Sequence, residues 1–153
     1  MKKLPWIIAV IFFLLNIALV YVFVFMGETV NLQDGRKGIS LEKEHKAFVL
    51  EEMRNFLESV QLINEGIIKN DKNLVIKASI LSGGSVIEHA PQGMLKRLPM
   101  DYKALSFSTH GIFDEMGEKA KLNFEPSQTR EQMSKLLSNC VSCHKQFKIL
   151  DSE

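Results

Sequence analysis

Cysteine is scarce in this chain, with two in 153 residues. A four-cysteine zinc site within one chain is therefore excluded. Excess charge is lacking too: 19 Lys and Arg stand against 18 Asp and Glu. From Glu28 onward the balance is 17 to 18, since Lys2 and Lys3 precede that point. Such a chain has no basic footprint for nucleic acid, and no nucleic-acid partner is expected. There is no internal repeat, low-complexity tract or long single-sign block. No nucleophile–base constellation or phosphate loop appears, so an enzyme is not expected. His45 beside Glu44, and Asp114-Glu115, read as ordinary helix-surface charges.

The two cysteines fall in one run, Cys140-Val141-Ser142-Cys143-His144, near the C-terminus. This is the C-x-x-C-H spacing of covalent haem c attachment. Two thiols can add to the two vinyl groups of one haem, and the adjoining imidazole can ligate its iron. C-x-x-C alone is weak, because redox dithiols share it. The histidine directly after the second cysteine sharpens it. A thioredoxin-like reading wants a βαβ context, and no strand pattern lies nearby. A haem-free dithiol or structural disulfide stays open as the alternative.

The length suits one domain. Pro5 to Met26 contain no charge, and Asn16 is the only strongly polar side chain there. A helix needs about 20 such residues to cross the hydrocarbon core. The stretch is long for a signal peptide and lacks a small-x-small cleavage site. Residues 1–26 are therefore expected to be an uncleaved transmembrane signal-anchor, with Trp6 and Tyr21 near the interfaces. Lys2 and Lys3 before the span are matched by Arg36 and Lys37 after it, so charge does not orient it. Haem c attachment generally takes place outside the bacterial cytoplasmic membrane. The expected location is thus the inner membrane, with the C-terminal domain in the periplasm. Residues 27–39 read as a glycine-containing polar linker.

Residues 40–153 read as an antiparallel up-down-up-down four-helix bundle, making the expected fold all-α. A first helix from about Ser40 to Lys69 places Val49, Met53, Phe56, Val60, Ile63 and Ile67 at spacings of four and three. Ser40 is its expected N-cap, and Asp71 that of a second helix reaching about Ala90. Gly83-Gly84 weakens that helix, allowing either a kink or close approach of another group. Pro91 and Pro99 bracket a long connection. Asp101 is the expected cap of a third helix reaching about Leu122, and Ser127 or Thr129 starts a fourth. On that last helix Met133, Leu137, Cys140, His144 and Phe147 share one face, so a haem held there would face the interior.

Counting levels at 1.5 Å per residue sets His144 opposite residues 50–54 of the first helix. Met53 is the expected distal ligand, because a thioether opposite histidine completes a low-spin iron. His89, at the end of the second helix, is the weaker alternative. His45 falls too near the start of its helix. His110 reads as a partly exposed residue, and Met94 and Met100 as packing residues of the long connection. For the haem propionates, Arg54 and Arg97 are the candidate contacts, with Lys96, Tyr102 and Lys145 also within projected reach.

A four-helix domain with one C-x-x-C-H in its last helix resembles the cytochrome c-prime family, the class II c-type cytochromes. The resemblance covers roughly residues 40–150 and is most specific over Cys140-Val-Ser-Cys-His-Lys-Gln-Phe-Lys148. It implies one covalent haem c, with Cys140 and Cys143 as thioethers and His144 as the proximal ligand. Glu52-Met53-Arg54 looks like the methionine-bearing, low-spin branch. The retained anchor and the few helix alanines depart from the family. The expected function is membrane-anchored electron transport with a redox protein partner, and a homodimer is allowed. The alternative is a five-coordinate domain that binds or senses nitric oxide or carbon monoxide.

Overall fold

The structure, a computed structural model, describes residues 4–25, 27 and 29–152. Six α-helices are present among them: α1 (Leu4–Phe25), α2 (Lys43–Lys69), α3 (Lys72–Ser82), α4 (Met94–Arg97), α5 (Met100–Leu122) and α6 (Pro126–Gln146). A 3-10 turn covers Gly84–His89. Strands β1 (Thr29–Asn31), β2 (Lys37–Leu41) and β3 (Phe147–Asp151) form one sheet in the order β1-β2-β3.

Two features correct the expected architecture. Among the described residues no helix is long and apolar enough to cross a membrane. The transmembrane anchor thus gives way to an apolar helix whose one amide, Asn16, donates to the Phe12 carbonyl at 2.8 Å. The inner-membrane and periplasmic placement loses its basis with it.

The second correction is the sheet, which an all-α reading lacks. The presumed linker forms a hairpin. Asp34 Oδ1 accepts from the Arg36 amide at 3.1 Å, Gly35 takes φ 83°, and the Leu32 amide donates to Arg36 O at 2.9 Å. An aspartate followed by a glycine at positive φ is a standard way to reverse a strand. β1 pairs antiparallel with β2, and β2 pairs parallel with β3 in the register Lys37↔Phe147 to Leu41↔Asp151. Ser40 therefore sits in β2 and caps no helix. Phe147 leaves the helix that carries the cysteines and opens β3.

The helices follow from local chemistry. At the end of α2, Asn70 adopts φ 55°, a left-handed value that asparagine tolerates, and Asp71 caps α3 by accepting from the Asn73 amide at 2.9 Å. This tight reversal lays α3 back on α2. Gly83 and Gly84 prove to be a close approach: a Cβ on Gly83 would lie 2.1 Å from Asp114 Oδ1. The Gly84 amide donates to Asp114 Oδ2 at 2.9 Å, so the second helix stops at Ser82. The long connection holds α4, and α5 opens at Met100 after Pro99, with Asp101 in its first turn and not at the cap. Pro126 starts α6, where a missing N–H costs nothing.

α2 packs on α3 and α6, and α5 packs on the same two, so the four long helices after the hairpin close a ring. Two apolar cores fill it. One joins Phe56, Ile63, Ile67, Val75, Phe113, Met116 and Leu136; the other joins Ile39, Leu41, Val49, Met94, Leu98, Tyr102 and Phe147 beside the sheet. Lys46–Asp151 at 2.7 Å and Lys37–Asp101 at 3.1 Å pin the sheet to α2 and α5. These pairs are solvent-exposed, each contributing about 0–1 kcal/mol.

Candidate functional site

Between the two cores lies a cavity of about 340 Å³. α2 contributes Met53, Phe56, Leu57 and Val60. Tyr102, Leu105, Ser106 and Thr109 come from α5, and Leu137, Asn139, Cys140, Cys143 and His144 from α6. Its wall is largely apolar with a few polar groups, the usual make-up of a small-molecule or cofactor site. Both cysteines, the histidine beside them and Met53 thus line one space.

The helical period explains this convergence. Cys140, Cys143 and His144 sit at i, i+3 and i+4, and so project from one side of α6. Met53 is one seam position before Phe56, and α2 runs alongside α6. The cysteines are free thiols, each half-buried. Burial pushes the Cys140 thiol above its ordinary range. Cys143 is pushed up to about 11, first by burial and then by its neighbour Cys140. Both are therefore protonated at neutral pH, a poor state for dithiol exchange, which needs a thiolate.

The remaining predicted residues are placed elsewhere. His89 lies in the 3-10 turn with Nδ1 3.2 Å from Ser85 O, and lines a different cavity with Glu51 and Asn55. Arg54 is exposed on α2 and is not among the described cavity residues. Arg97 is held by Glu42, Nη2 to Oε1 at 3.2 Å. Neither arginine meets the cavity. The expectation of metal binding finds no support in the side chains alone: among the described residues no three His, Cys, Asp or Glu gather to hold an ion. A haem would bring its own nitrogen ligands, so it would ask of the chain only one or two donors, such as His144 and Met53.

Polar groups that the sequence reading passed over line the cavity. Thr109 Oγ1 donates to the Leu105 carbonyl at 2.8 Å, and Asn139 Nδ2 donates to Ser108 Oγ at 3.0 Å, joining α6 to α5. Tyr102, which the sequence did place near the propionates, is buried on the same wall, packs edge-on against Phe147 with ring centroids 5.5 Å apart, and keeps its phenol protonated through burial.

His110, expected on the surface, is 1% exposed. Its Nδ1 lies 2.8 Å from Ser82 O, and its ring meets Phe56 edge-on at 5.0 Å. Nε2 is 3.3 Å from Glu52 Oε1, an ion-pair separation whose angle makes no aligned hydrogen bond. Burial favours the neutral ring, but Glu52 and the backbone carbonyls outweigh it and raise its pKa. A signal for this burial existed: residues 110, 113, 117 and 120 recur at helical spacing, and all four are buried.

Compared with known protein families, curated proteins and solved structures, the chain matches none.

Proposed function

We propose that this chain is a mono-haem c-type cytochrome that carries electrons, similar to the low-spin branch of the cytochrome c-prime family. The observation that carries the reading is the cavity, which the C-x-x-C-H residues share with Met53. In this reading Cys140 and Cys143 would hold the haem through thioether links, and His144 and Met53 would offer an imidazole nitrogen and a thioether sulfur to its iron. When bound, the haem supplies a one-electron iron couple.

The chain's own residues tune that couple. Phe56, Val60 and Leu105 keep water from the ring, and a low-dielectric pocket with a thioether ligand raises the potential. Of the three hydroxyl residues on the cavity wall, Thr109 already donates to the Leu105 carbonyl, and Tyr102 and Ser106 take the role for the haem carboxylates that Arg54 and Arg97 are not placed to fill. The protonated thiols weigh against a haem-free redox dithiol. The three-stranded sheet is an addition to the family's bundle.

Co-expression with the c-type maturation machinery tests the reading. The intact mass should rise by one haem that denaturation and acid extraction do not remove. The Cys140→Ser/Cys143→Ser variant should carry none. A natural chain that matures with no covalent haem would overturn the proposal.

A further inference from the structure

The outward face of α6 forms a shallow groove of about 600 Å³ next to the cavity. Arg130 and Lys145 stand at its two ends, and Leu137, Val141 and serines line its floor. No carboxylate is among the described lining residues. Leu137 and Val141 are 41% and 54% exposed, so the floor between the two cations is partly apolar. Among the described residues neither Arg130 nor Lys145 has an ion-pair partner. Most exposed lysines of the flanking helices do, as in Lys69–Glu65 and Lys119–Glu115.

Charge is unevenly shared around the ring. α6 holds Arg130, Lys135 and Lys145 against Glu131, a net of +2. α2 has four cations against five carboxylates, and α5 three against four, so each flanking helix is −1. The groove is therefore a positive, partly apolar strip between two negative helices. Leu137 lines both the groove and the cavity, so only one layer of side chains separates the strip from the bound cofactor.

We propose that this face of α6 is the docking surface for a redox protein whose own contact patch is apolar and rimmed by carboxylates. The inference rests on the cytochrome reading and adds where, and to what chemistry, the electron passes. On docking, the reduced partner loses one electron and the haem iron of this chain gains it. Arg130 and Lys145 steer and orient the partner, and Leu137 and Val141 exclude water at the contact centre. Complementary charge of this kind acts mainly on association and is screened by salt.

The test uses the haem-loaded, nitrogen-15-labelled protein titrated with oxidised plant-type ferredoxin, an acidic iron–sulfur protein. Amide shifts should concentrate between residues 130 and 145. The Arg130→Glu/Lys145→Glu variant should weaken Kd roughly tenfold or more at low ionic strength, the low end of what electrostatic steering supplies. A matched control exists on α3, across the ring, where Lys72 and Lys77 are exposed and also give +2. Lys72→Glu/Lys77→Glu should leave Kd within about twofold, because α3 stands across the ring from the contact, behind α2 and α5. Silent α6 amides in a haem-loaded sample, or an equal loss in the α3 variant, would overturn the docking surface alone. Shifts caused by anionic vesicles and not by ferredoxin would do the same. A sample whose mass shows no haem overturns the cytochrome reading and this proposal together.

Discussion

Replacing His110 by leucine should be among the most damaging single changes in this protein. The imidazole is almost wholly buried and spans two partners, the Ser82 carbonyl at 2.8 Å and the Glu52 carboxylate at 3.3 Å. Leucine fills much of the volume but leaves the Glu52 carboxylate, 8% exposed, without its counter-charge. Removing one partner of a buried pair costs about 3–5 kcal/mol. With a urea slope of about 2 kcal/mol/M, that moves the unfolding midpoint down by roughly 1.5–2.5 M. The assay is urea unfolding followed by far-UV circular dichroism on the same preparation. Glu52→Leu/His110→Leu removes both charges and should recover a large part of the loss, because an apolar pair of similar volume is often neutral or better. The pH dependence follows from the raised pKa of His110. A histidine whose folded pKa exceeds its unfolded value adds stability that is full below about pH 6.5 and fades as pH rises through the folded pKa. The natural chain should show that decline, and the leucine variant should lack it. A loss under about 1 kcal/mol for His110→Leu, or a double variant as unstable as the sum of the singles, would refute the pairing argument.

Met53→Ala should convert the reduced haem protein to a high-spin form that binds carbon monoxide; an unchanged ferrous spectrum would exclude Met53 as ligand. Gly117→Ala should destabilise by about 1–3 kcal/mol through overpacking. The new Cβ would lie 2.0 Å from Ser79 Oγ and 2.5 Å from Ser79 Cβ, so adding Ser79→Gly should restore much of the loss in thermal unfolding. Asp71→Ala should cost about 0.5–2 kcal/mol, the usual worth of a helix N-cap, while Asp71→Ser should cost little in the same denaturation assay.

Much of the site was legible because it is periodic. Cys140, Cys143, His144 and Met53 sit on regular helices, and a constant rise per residue let their levels be matched across the ring. Asp71 as a cap was readable for the same local reason. The sheet was not. β2 and β3 pair across more than a hundred residues of chain, and Lys37-Gly-Ile-Ser-Leu41 is too short to announce a strand. Asp34-Gly35 did carry a hairpin signal, but the polar residues around it read as a linker. His110 illustrates a different failure. Its polarity masked a position on the buried stripe, and only Glu52 and the Ser82 carbonyl, distant in sequence, make its burial affordable. Arg97 was placed near the propionates by projected topology, whereas α4 turns it to Glu42.

The most direct test of the account is the optical spectrum of the matured, reduced protein with and without carbon monoxide. A sharp low-spin c-type spectrum that carbon monoxide leaves unchanged is the predicted result. A high-spin spectrum that shifts on adding the gas would contradict the electron-carrier reading, leaving Met53 as a packing residue beside an open iron.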